Sequence, residues 1–194
     1  MSSIYQGVIL NSCRDSTAFS DFPMDPAKYP DYFGHELYVN YLHEYAEFFR
    51  LKEHVRLNTR VRGCKQLGDG SWTVSYEEKG KEPVEETFDA IFACTGHMSV
   101  PEIPEFEGKD SFKGEFLHSH FYRTPGSFEG KRVVIIGIGS SAVDIACEIA
   151  PQAKELHLIT RRGGWILPRY VLGKPIEAYD SKSSFAVKTS NVHG

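Results

Sequence analysis

Residues 132 to 142 combine an apolar run with a glycine pattern that few folds accommodate. Arg132 to Ile136 is a short, β-branched stretch that leads into Gly137-x-Gly139-x-x-Ala142. In a β-α-β unit the first glycine permits a tight turn, and the second lets the backbone approach a pyrophosphate. The small third residue keeps helix and strand close. Because the first helical turn presents N–H groups to phosphate charge, the pattern predicts a dinucleotide site.

A second apolar strand, predicted over Glu155 to Thr160, ends in two adjacent arginines. Sites that prefer NAD place an acidic residue near this point, where it holds the ribose 2′-hydroxyl. Arg161 and Arg162 stand there instead, and paired guanidiniums attract a 2′-phosphate that a carboxylate would repel. The pattern therefore favours NADP over NAD. A solvated basic turn is the alternative interpretation.

The composition of the 194-residue chain excludes several classes of function. The chain is 41% apolar and 25% charged, and its net charge of −4 offers no basic surface for nucleic acid. No apolar run approaches the ~20 residues of a membrane span, and the N-terminus lacks a signal-peptide pattern. No metal site or disulfide scaffold is predicted, and a reducing compartment is expected, because the cysteines are widely spaced without a C-x-x-C motif. They are Cys13, Cys64, Cys94 and Cys147.

Local patterns near the N-terminus predict a strand, a long loop and a helix. Tyr5 to Leu10 is an apolar run typical of a strand, and the polar residues 12 to 33 predict a long ordered loop. From His35 to Leu51 apolar residues recur at helical spacing. We expect the resulting aromatic stripe to face the core. It comprises Tyr38, Tyr41, Leu42, Tyr45, Phe48 and Phe49.

The middle of the chain changes to the alternation of β-strands. Val55 to Val61, Trp72 to Tyr76 and Val84 to Phe88 are separated by glycine-containing or short polar turns, which predicts an antiparallel meander. Phe88 to Cys94 is then almost continuously apolar, as expected of a strand buried on both faces. A Pro-rich linker follows over Met98 to Glu107.

Together these patterns predict an α/β chain built on Rossmann-like nucleotide domains. Residues 1–124 match the later half of one domain, without its opening strand and glycine turn, and residues 125–194 match the start of another. Residues 177–194 are polar and expected to be poorly ordered. The chain is therefore interpreted as a piece of a larger protein.

A motif between the two predicted domains resembles a family signature. Phe112-x-Gly114-x-x-x-His118-x-x-x-Tyr122 is similar to the F-x-G-x-x-x-H-x-x-x-(Y/F) signature of flavin-containing monooxygenases, which lies just before their second glycine motif. Other segments resemble the animal-type enzymes in the same order: Ser3-Ile-Tyr5, Asn11-Ser12, Phe19 to Pro23, Thr95-Gly96-His97 and Thr160 to Arg169.

The resemblance implies a partial two-dinucleotide-binding-domain (Rossmann-like) flavoprotein fold with a β-meander. FAD and NADP would be the cofactors, and NADPH would reduce the flavin. Oxygen would then form a C4a-hydroperoxyflavin that oxygenates a small-molecule amine or thioether. The resemblance implies a location on the cytoplasmic side, with the parent protein at the endoplasmic reticulum membrane and attachment only through segments outside this chain.

Positions are carried over from the family residue by residue. Asn11 resembles the active-site asparagine beside the flavin, and its amide both donates and accepts hydrogen bonds; by itself, an Asn before a loop is more often a turn former. His118 is interpreted as tying the linker by hydrogen bonding, with Phe112 and Tyr122 packing beneath. The cofactor-binding residues implied are Leu10, Asn11, Ser12, Thr95, Gly96, Gly137, Gly139, Ser140, Ser141, Ala142, Val143, Asp144, Arg161 and Arg162.

Three interpretations stay open at this point. The chain is a fragment of a flavin-containing monooxygenase, a Baeyer–Villiger-type monooxygenase, or a truncated non-catalytic module that binds NADP. Tyr122 disfavours the second, because the related signature usually ends in Trp-Pro or an acidic residue.

Because the family's first glycine motif is absent from this sequence, we expect the isolated chain neither to hold FAD nor to catalyse oxygenation. Absorbance of the purified protein in the visible region measures bound flavin. A stoichiometric yellow protein would contradict the expectation.

Overall fold

The computed structural model describes residues 3 to 179, so most of the tail that was predicted to be disordered lies outside the described residues. The α-helices are α1 (Arg14–Thr17), α2 (His35–Phe48) and α3 (Ser140–Ile149). The strands are β1 (Thr59–Gln66), β2 (Trp72–Glu78), β3 (Val84–Phe88), β4 (Arg132–Ile136), β5 (Glu155–Ile159), β6 (Tyr170–Val171) and β7 (Lys174–Pro175). Short 3-10 turns cover Leu51–His54, Lys109–Ser111, Ser119–Phe121, Pro125–Phe128 and Ile176–Tyr179.

Contacts between Cα atoms divide the chain into two compact units. One contains residues 43 to 97, and the other combines the described residues up to 42 with those from 98 onward. This division follows compactness alone. The boundary expected at residue 124 concerns two nucleotide domains of a parent fold and stays a prediction.

The unit over residues 43 to 97 holds the meander. Strands β1, β2 and β3 pair antiparallel in sequence order, and a register shift interrupts β1 between Val61 and Gly63. Arg56 donates to Glu86 at 2.5 Å and to the Tyr76 hydroxyl at 2.6 Å, which ties the segment that precedes β1 to the two other strands. The predicted meander is confirmed, although its first strand begins at Thr59 rather than Val55.

The buried strand predicted over Phe88 to Cys94 is wrong. β3 ends at Phe88, and residues 89 to 96 form no strand and are largely exposed, with Phe92 at 89% of its full accessibility. An apolar run becomes a strand only where a neighbouring strand accepts its hydrogen bonds. No strand among the described residues pairs with this segment.

The strand predicted over Tyr5 to Leu10 is also wrong. The segment turns at Gln6-Gly7, and its only β pairing among the described residues is a single bridge between Ile9 and Gly34. Tyr5 and Val8 both reach the hydrophobic core that covers α3. Their spacing of three residues suits a turn, whereas a strand would place them on opposite faces.

The loop from residue 12 to residue 33 packs around one tyrosine of α2. Tyr41 is fully buried, its hydroxyl accepts from the Phe19 N–H at 2.8 Å, and it donates to the Phe22 carbonyl at 2.7 Å. The other buried members of this cluster are Met24, Tyr29 and Phe33. The predicted ordered loop is confirmed, and it contains the single turn of α1.

The aromatic stripe of α2 faces the core only in part. The helix ends at Phe48, before the expected Leu51, and Leu42, Phe48 and Phe49 are exposed. Tyr41 alone among the stripe is buried. Helical spacing identified one face of α2 but not how far along that face the core extends.

The β-α-β unit predicted from the glycine pattern is confirmed. β4 and β5 pair parallel, with Ile136 opposite Ile159, and α3 connects them. Ile145 and Ile149 lie one helical turn apart on α3 and are buried against Val133, Ile135 and Leu156 of the sheet.

After β5 the chain forms a hairpin in a stretch for which the sequence predicted no helix or strand. β6 and β7 pair antiparallel, and the Ile176–Tyr179 turn follows them. Residues 177 to 179, which were expected to be poorly ordered, are part of this turn. Their order comes from contacts with the distant N-terminal loop, which no local pattern reveals.

We predict that Tyr41→Phe lowers the free energy of unfolding by about 1–3 kcal/mol, because it removes the two hydrogen bonds that the buried Tyr41 hydroxyl makes. Urea unfolding followed by circular dichroism measures the change. Tyr38→Phe is the matched control on the same helix, since the Tyr38 hydroxyl has no hydrogen bond to a described residue. Equal effects of the two variants would contradict the prediction.

Candidate functional site

The turn between β4 and α3 has the geometry that its glycines predict. Gly137 has φ of 122°, a conformation that side-chain-bearing residues rarely adopt, and its N–H donates to the Ile159 carbonyl of β5 at 2.8 Å. Gly139 is the N-cap of α3 in an extended conformation. Its carbonyl accepts from the Ala142 and Val143 N–H groups at 2.9 and 3.1 Å.

This turn leaves room for an anionic group at the start of α3. A Cβ added to Gly139 would meet no heavy atom within 4 Å, so the space before the helix is open. The first N–H groups of any α-helix lack partners within it, and those of Ser140 and Ser141 stand at this start. The first turn carries no acidic residue. A pyrophosphate therefore fits here by both space and charge.

The two predicted phosphate-binding arginines follow the neighbouring strand at the same edge of the sheet. Because β4 and β5 are parallel and in register, their carboxyl ends coincide. The loop after the arginines returns over the glycine turn, since a Cβ on Gly164 would lie 3.3 Å from the Ile138 side chain. Arg161 and Arg162 are both exposed there. Their role toward a 2′-phosphate stays a prediction.

Asp144 has a hydrogen-bond partner that the sequence did not indicate. The Tyr5 hydroxyl donates to Asp144 Oδ2 at 3.0 Å. Burial, followed by the hydrogen bond and the charge of Asp144, raises the pKa of Tyr5 well above its ordinary value. Asp144 thus fastens the N-terminal segment to α3, while its predicted position near the pyrophosphate stays a prediction.

The last residue of the family signature anchors a second point on the same helix. Tyr122 is buried, and its hydroxyl donates to Glu148 Oε2 at 2.7 Å. Its ring meets that of Tyr5 edge-on, with centroids 5.5 Å apart. Gly7 leaves room for the carboxylate, since a Cβ there would lie 1.7 Å from Glu148 Oε1.

The rest of the signature is structural, as interpreted for His118. Its Nδ1 accepts from the His120 N–H at 3.1 Å and caps the Ser119–Phe121 turn. Phe112, however, does not pack beneath the linker and is 59% exposed. Its ring instead lies over Gly114, where an added Cβ would come within 2.4 Å of the ring. This contact explains the glycine of the signature.

The other residues predicted to contact a cofactor occur in both units. Leu10, expected against NADP, is half-buried beside the Tyr41 cluster, whereas Asn11 and Ser12, expected beside FAD, are exposed at a bend. The Ser12 hydroxyl lies 2.7 Å from that of Thr17 in α1. Asn11 therefore extends from an ordered loop.

Thr95 and Gly96 belong to the other unit and are exposed there. Gly96 has φ of 70°, which is consistent with the turn predicted at this point. The flavin-binding roles of Thr95 and Gly96 stay predictions.

Glu148 and Glu177 were not singled out by the sequence, and Tyr5 was named only within a segment that resembles the family. Tyr5 reaches Asp144, and Glu177 reaches Cys13, across more than a hundred residues, so no local signal marks these two contacts. Glu148 is marked only by its partner Tyr122 in the signature. Within residues 3 to 179, no cluster of three or more histidines, cysteines or carboxylates is arranged to hold a metal. None of the helices in that range has the length and apolar character to span a membrane.

The sequence of the chain matches one family model and is similar to known monooxygenases. A family model described as "Flavin-binding monooxygenase-like" matches residues 1 to 182. Flavin-containing monooxygenase 5 of Rattus norvegicus is 41% identical over 173 residues, which are 86% of this chain and 32% of the rat protein. Rat dimethylaniline monooxygenase (N-oxide-forming) 4 is 37% identical over 179 residues, or 89% of this chain and 32% of that protein.

A solved structure agrees with the sequence comparisons. S-allyl-L-cysteine S-oxygenase from Allium sativum matches with a TM-score of 0.77 and 33% identity, covering 88% of this chain and 40% of that one. The chain spans about a third of the length of the curated relatives described above.

We predict that the stability of the folded chain falls as the pH rises above about 10, the ordinary pKa of tyrosine. The folded-state pKa values of Tyr5 and Tyr122 are raised, so the stability that these hydroxyls contribute is complete below that pH and is lost above it. The slope is up to about 1.4 kcal/mol per pH unit for each tyrosine.

Urea unfolding at neutral pH and in steps above about pH 10 measures this slope. The double variant Tyr5→Phe/Tyr122→Phe should be less stable at neutral pH but should show a shallower alkaline decline. Tyr38→Phe, outside this cluster, should decline as the original chain does. The same slope in all three proteins would refute the assignment.

Proposed function

The chain belongs to the flavin-binding monooxygenase-like family, and from that premise we propose that it presents NADPH to the flavin of an FAD-dependent monooxygenase. The observation that carries the proposal is the shared edge of β4 and β5. There an open glycine turn, the start of α3 and an exposed arginine pair come together. This combination suits a dinucleotide with a phosphorylated ribose.

The nucleotide would be held by two kinds of group. N–H groups at the start of α3, beside Gly139 and Ser140, would bind the pyrophosphate, and the first turn of the helix carries no acidic residue that would repel it. Arg161, with Arg162, would bind the 2′-phosphate as a charge-assisted pair. A nucleotide without that phosphate would lose only the second contribution.

The flavin would be approached from the Asn11 loop. Asn11 and Ser12 supply an amide and a hydroxyl at an exposed bend, and Leu10 supports that bend from the core side. The roles of Thr95 and Gly96 toward FAD are expected from the family resemblance alone. When bound, FAD would supply the redox chemistry between NADPH and O2, with one oxygen atom of O2 going to a soft nucleophile and the other to water.

The role of this chain's residues in such a reaction would be positional. The Asn11 amide can donate to one oxygen and accept from one N–H at the same time, which suits a site where a nicotinamide amide and a reduced oxygen species meet. The names of the relatives, an N-oxide-forming enzyme and an S-oxygenase, support a tertiary amine or thioether as the substrate class.

We predict that Arg161→Ala weakens NADPH binding by about 10- to 100-fold while NADH binding changes by less than about twofold, because only NADPH carries the phosphate. Fluorescence titration of the flavin-free chain with each nucleotide measures both constants. Arg132→Ala is the control, since Arg132 is exposed at the opposite end of β4.

Equal affinity of the unaltered chain for NADPH and NADH would overturn the NADP assignment. Titration with FAD in the same assay then separates a flavin-holding chain from a module that binds NADP alone. An NADPH preference lost equally in both arginine variants would indicate general charge attraction rather than a phosphate site.

A further inference from the structure

We propose that Glu177 is a positioning residue that fastens the Asn11 loop to the segment that follows the arginine pair. The proposal rests on the function inferred above, in which Asn11 faces the flavin and Arg161 binds the nucleotide. It adds a connection between them that neither the family signature nor the glycine pattern contains. The connection runs through the β6–β7 hairpin.

The carboxylate of Glu177 binds two separate points of the loop from residue 11 to residue 33. Its Oε1 accepts from the Cys13 N–H at 3.0 Å. Its Oε2 accepts from the Tyr32 hydroxyl at 2.6 Å. One side chain therefore joins the beginning of the loop to its end, and the Cys13 contact lies two residues after Asn11.

The charge on Glu177 strengthens both hydrogen bonds. Partial burial opposes ionisation, but the donors from Tyr32 and from the backbone outweigh it, so the pKa of Glu177 is lowered. Burial and the Glu177 carboxylate together raise the pKa of Tyr32 to about 12. At neutral pH the pair is thus a carboxylate and a protonated phenol, the charge-assisted combination that gives short bonds.

Tyr32 also binds the chain immediately before the hairpin. Its hydroxyl lies 2.8 Å from the Arg169 carbonyl, which accepts from the Ile176 N–H at 2.9 Å as well. The Arg169 guanidinium lies 5.6 Å from the centroid of the Tyr32 ring, and Tyr170 meets that ring edge-on at 5.3 Å. Both ends of the hairpin are therefore fixed to the same loop.

The Asn11 loop depends on this attachment because its first turn is short. α1 has four residues, which is too few to be stable alone. Its N-cap is Cys13, and that side chain makes no capping hydrogen bond. Arg14 contributes a further tie, donating to the Tyr29 carbonyl at 3.0 Å. The contact from Glu177 to Cys13 adds a hydrogen bond to the start of α1 from a residue outside the loop's own sequence.

The arrangement couples nucleotide binding to the rigidity of the Asn11 loop. Arg161 and Glu177 belong to one continuous segment that is fastened at Arg169 and again at its end. A phosphate bound at Arg161 would order the start of that segment. Through the hydrogen bond between Glu177 and Cys13, the loop beside the flavin would then become more rigid when the nucleotide is present.

Hydrogen exchange of the full 194-residue chain, followed by mass spectrometry, tests the proposal. The peptide covering residues 11 to 18 is compared in the original chain, Glu177→Ala, Glu177→Gln and Tyr32→Phe, with and without NADP⁺. Glu129→Ala, which removes an exposed carboxylate from the same unit, is the matched control. Peptides from β4 and α3, which belong to the same unit as the substitutions, report whether each variant remains folded.

Without nucleotide, we expect exchange in this peptide to be about tenfold faster or more in Glu177→Ala, since a hydrogen bond to a charged group is lost. Glu177→Gln should lie between that variant and the original chain, because it keeps one carbonyl oxygen for one of the two donors. Tyr32→Phe should also be intermediate. Unchanged exchange in Glu177→Ala would overturn the attachment.

With NADP⁺, exchange of the same peptide should slow in the original chain and in Glu129→Ala, but not in Glu177→Ala. The affinity of Glu177→Ala for NADP⁺, measured by titration, should stay within about twofold, which a local fastening predicts. Equal slowing of hydrogen exchange in all variants would overturn the coupling between nucleotide binding and the Asn11 loop. Glu177 would then be a purely structural group. Failure of NADP⁺ to bind the original chain would overturn the proposed function, while the nucleotide-free comparison would still decide the attachment.

Discussion

The packing of two tyrosines on one side of α3 determines where the candidate nucleotide site lies. Tyr5 comes from the N-terminal segment and Tyr122 from the family signature, and each donates to a carboxylate of the helix. α3 has only ten residues, so it owes its stability to this packing rather than to its own propensity. The orientation of its first turn therefore follows from residues far away in the sequence.

The same contacts involve the two carboxylates of α3, whose charge matters for anion binding at the start of the helix. A helix that binds an anion at its start is weakened for that purpose by nearby carboxylates. Asp144 and Glu148 are one turn apart on a single face of α3, and both accept from tyrosine hydroxyls. The first turn itself carries no acid. The two carboxylates of the helix thus serve its packing, and both lie beyond its first turn.

The sequence predicted well what depends on neighbours in the chain. The strand, Gly137 and α3 form a continuous local pattern, and the meander alternates within each strand, so both were identified correctly. Phe88 to Cys94 and Tyr5 to Leu10 were assigned as strands from apolar character alone. Whether such runs become strands depends on a pairing partner, and the described residues supply only one isolated bridge at Ile9.

For the same reason, local sequence patterns could not identify the residues that position the candidate site. Glu177 follows a proline and an isoleucine in a stretch without periodicity, and its importance comes only from Cys13 and Tyr32, which lie far earlier in the chain. Sequence similarity assigned Asn11 to a flavin, but it gave no account of what keeps an exposed asparagine in place on a long loop. A loop that supports a reacting group must be fixed at points outside itself, because its own hydrogen bonds cannot set its position relative to a second cofactor.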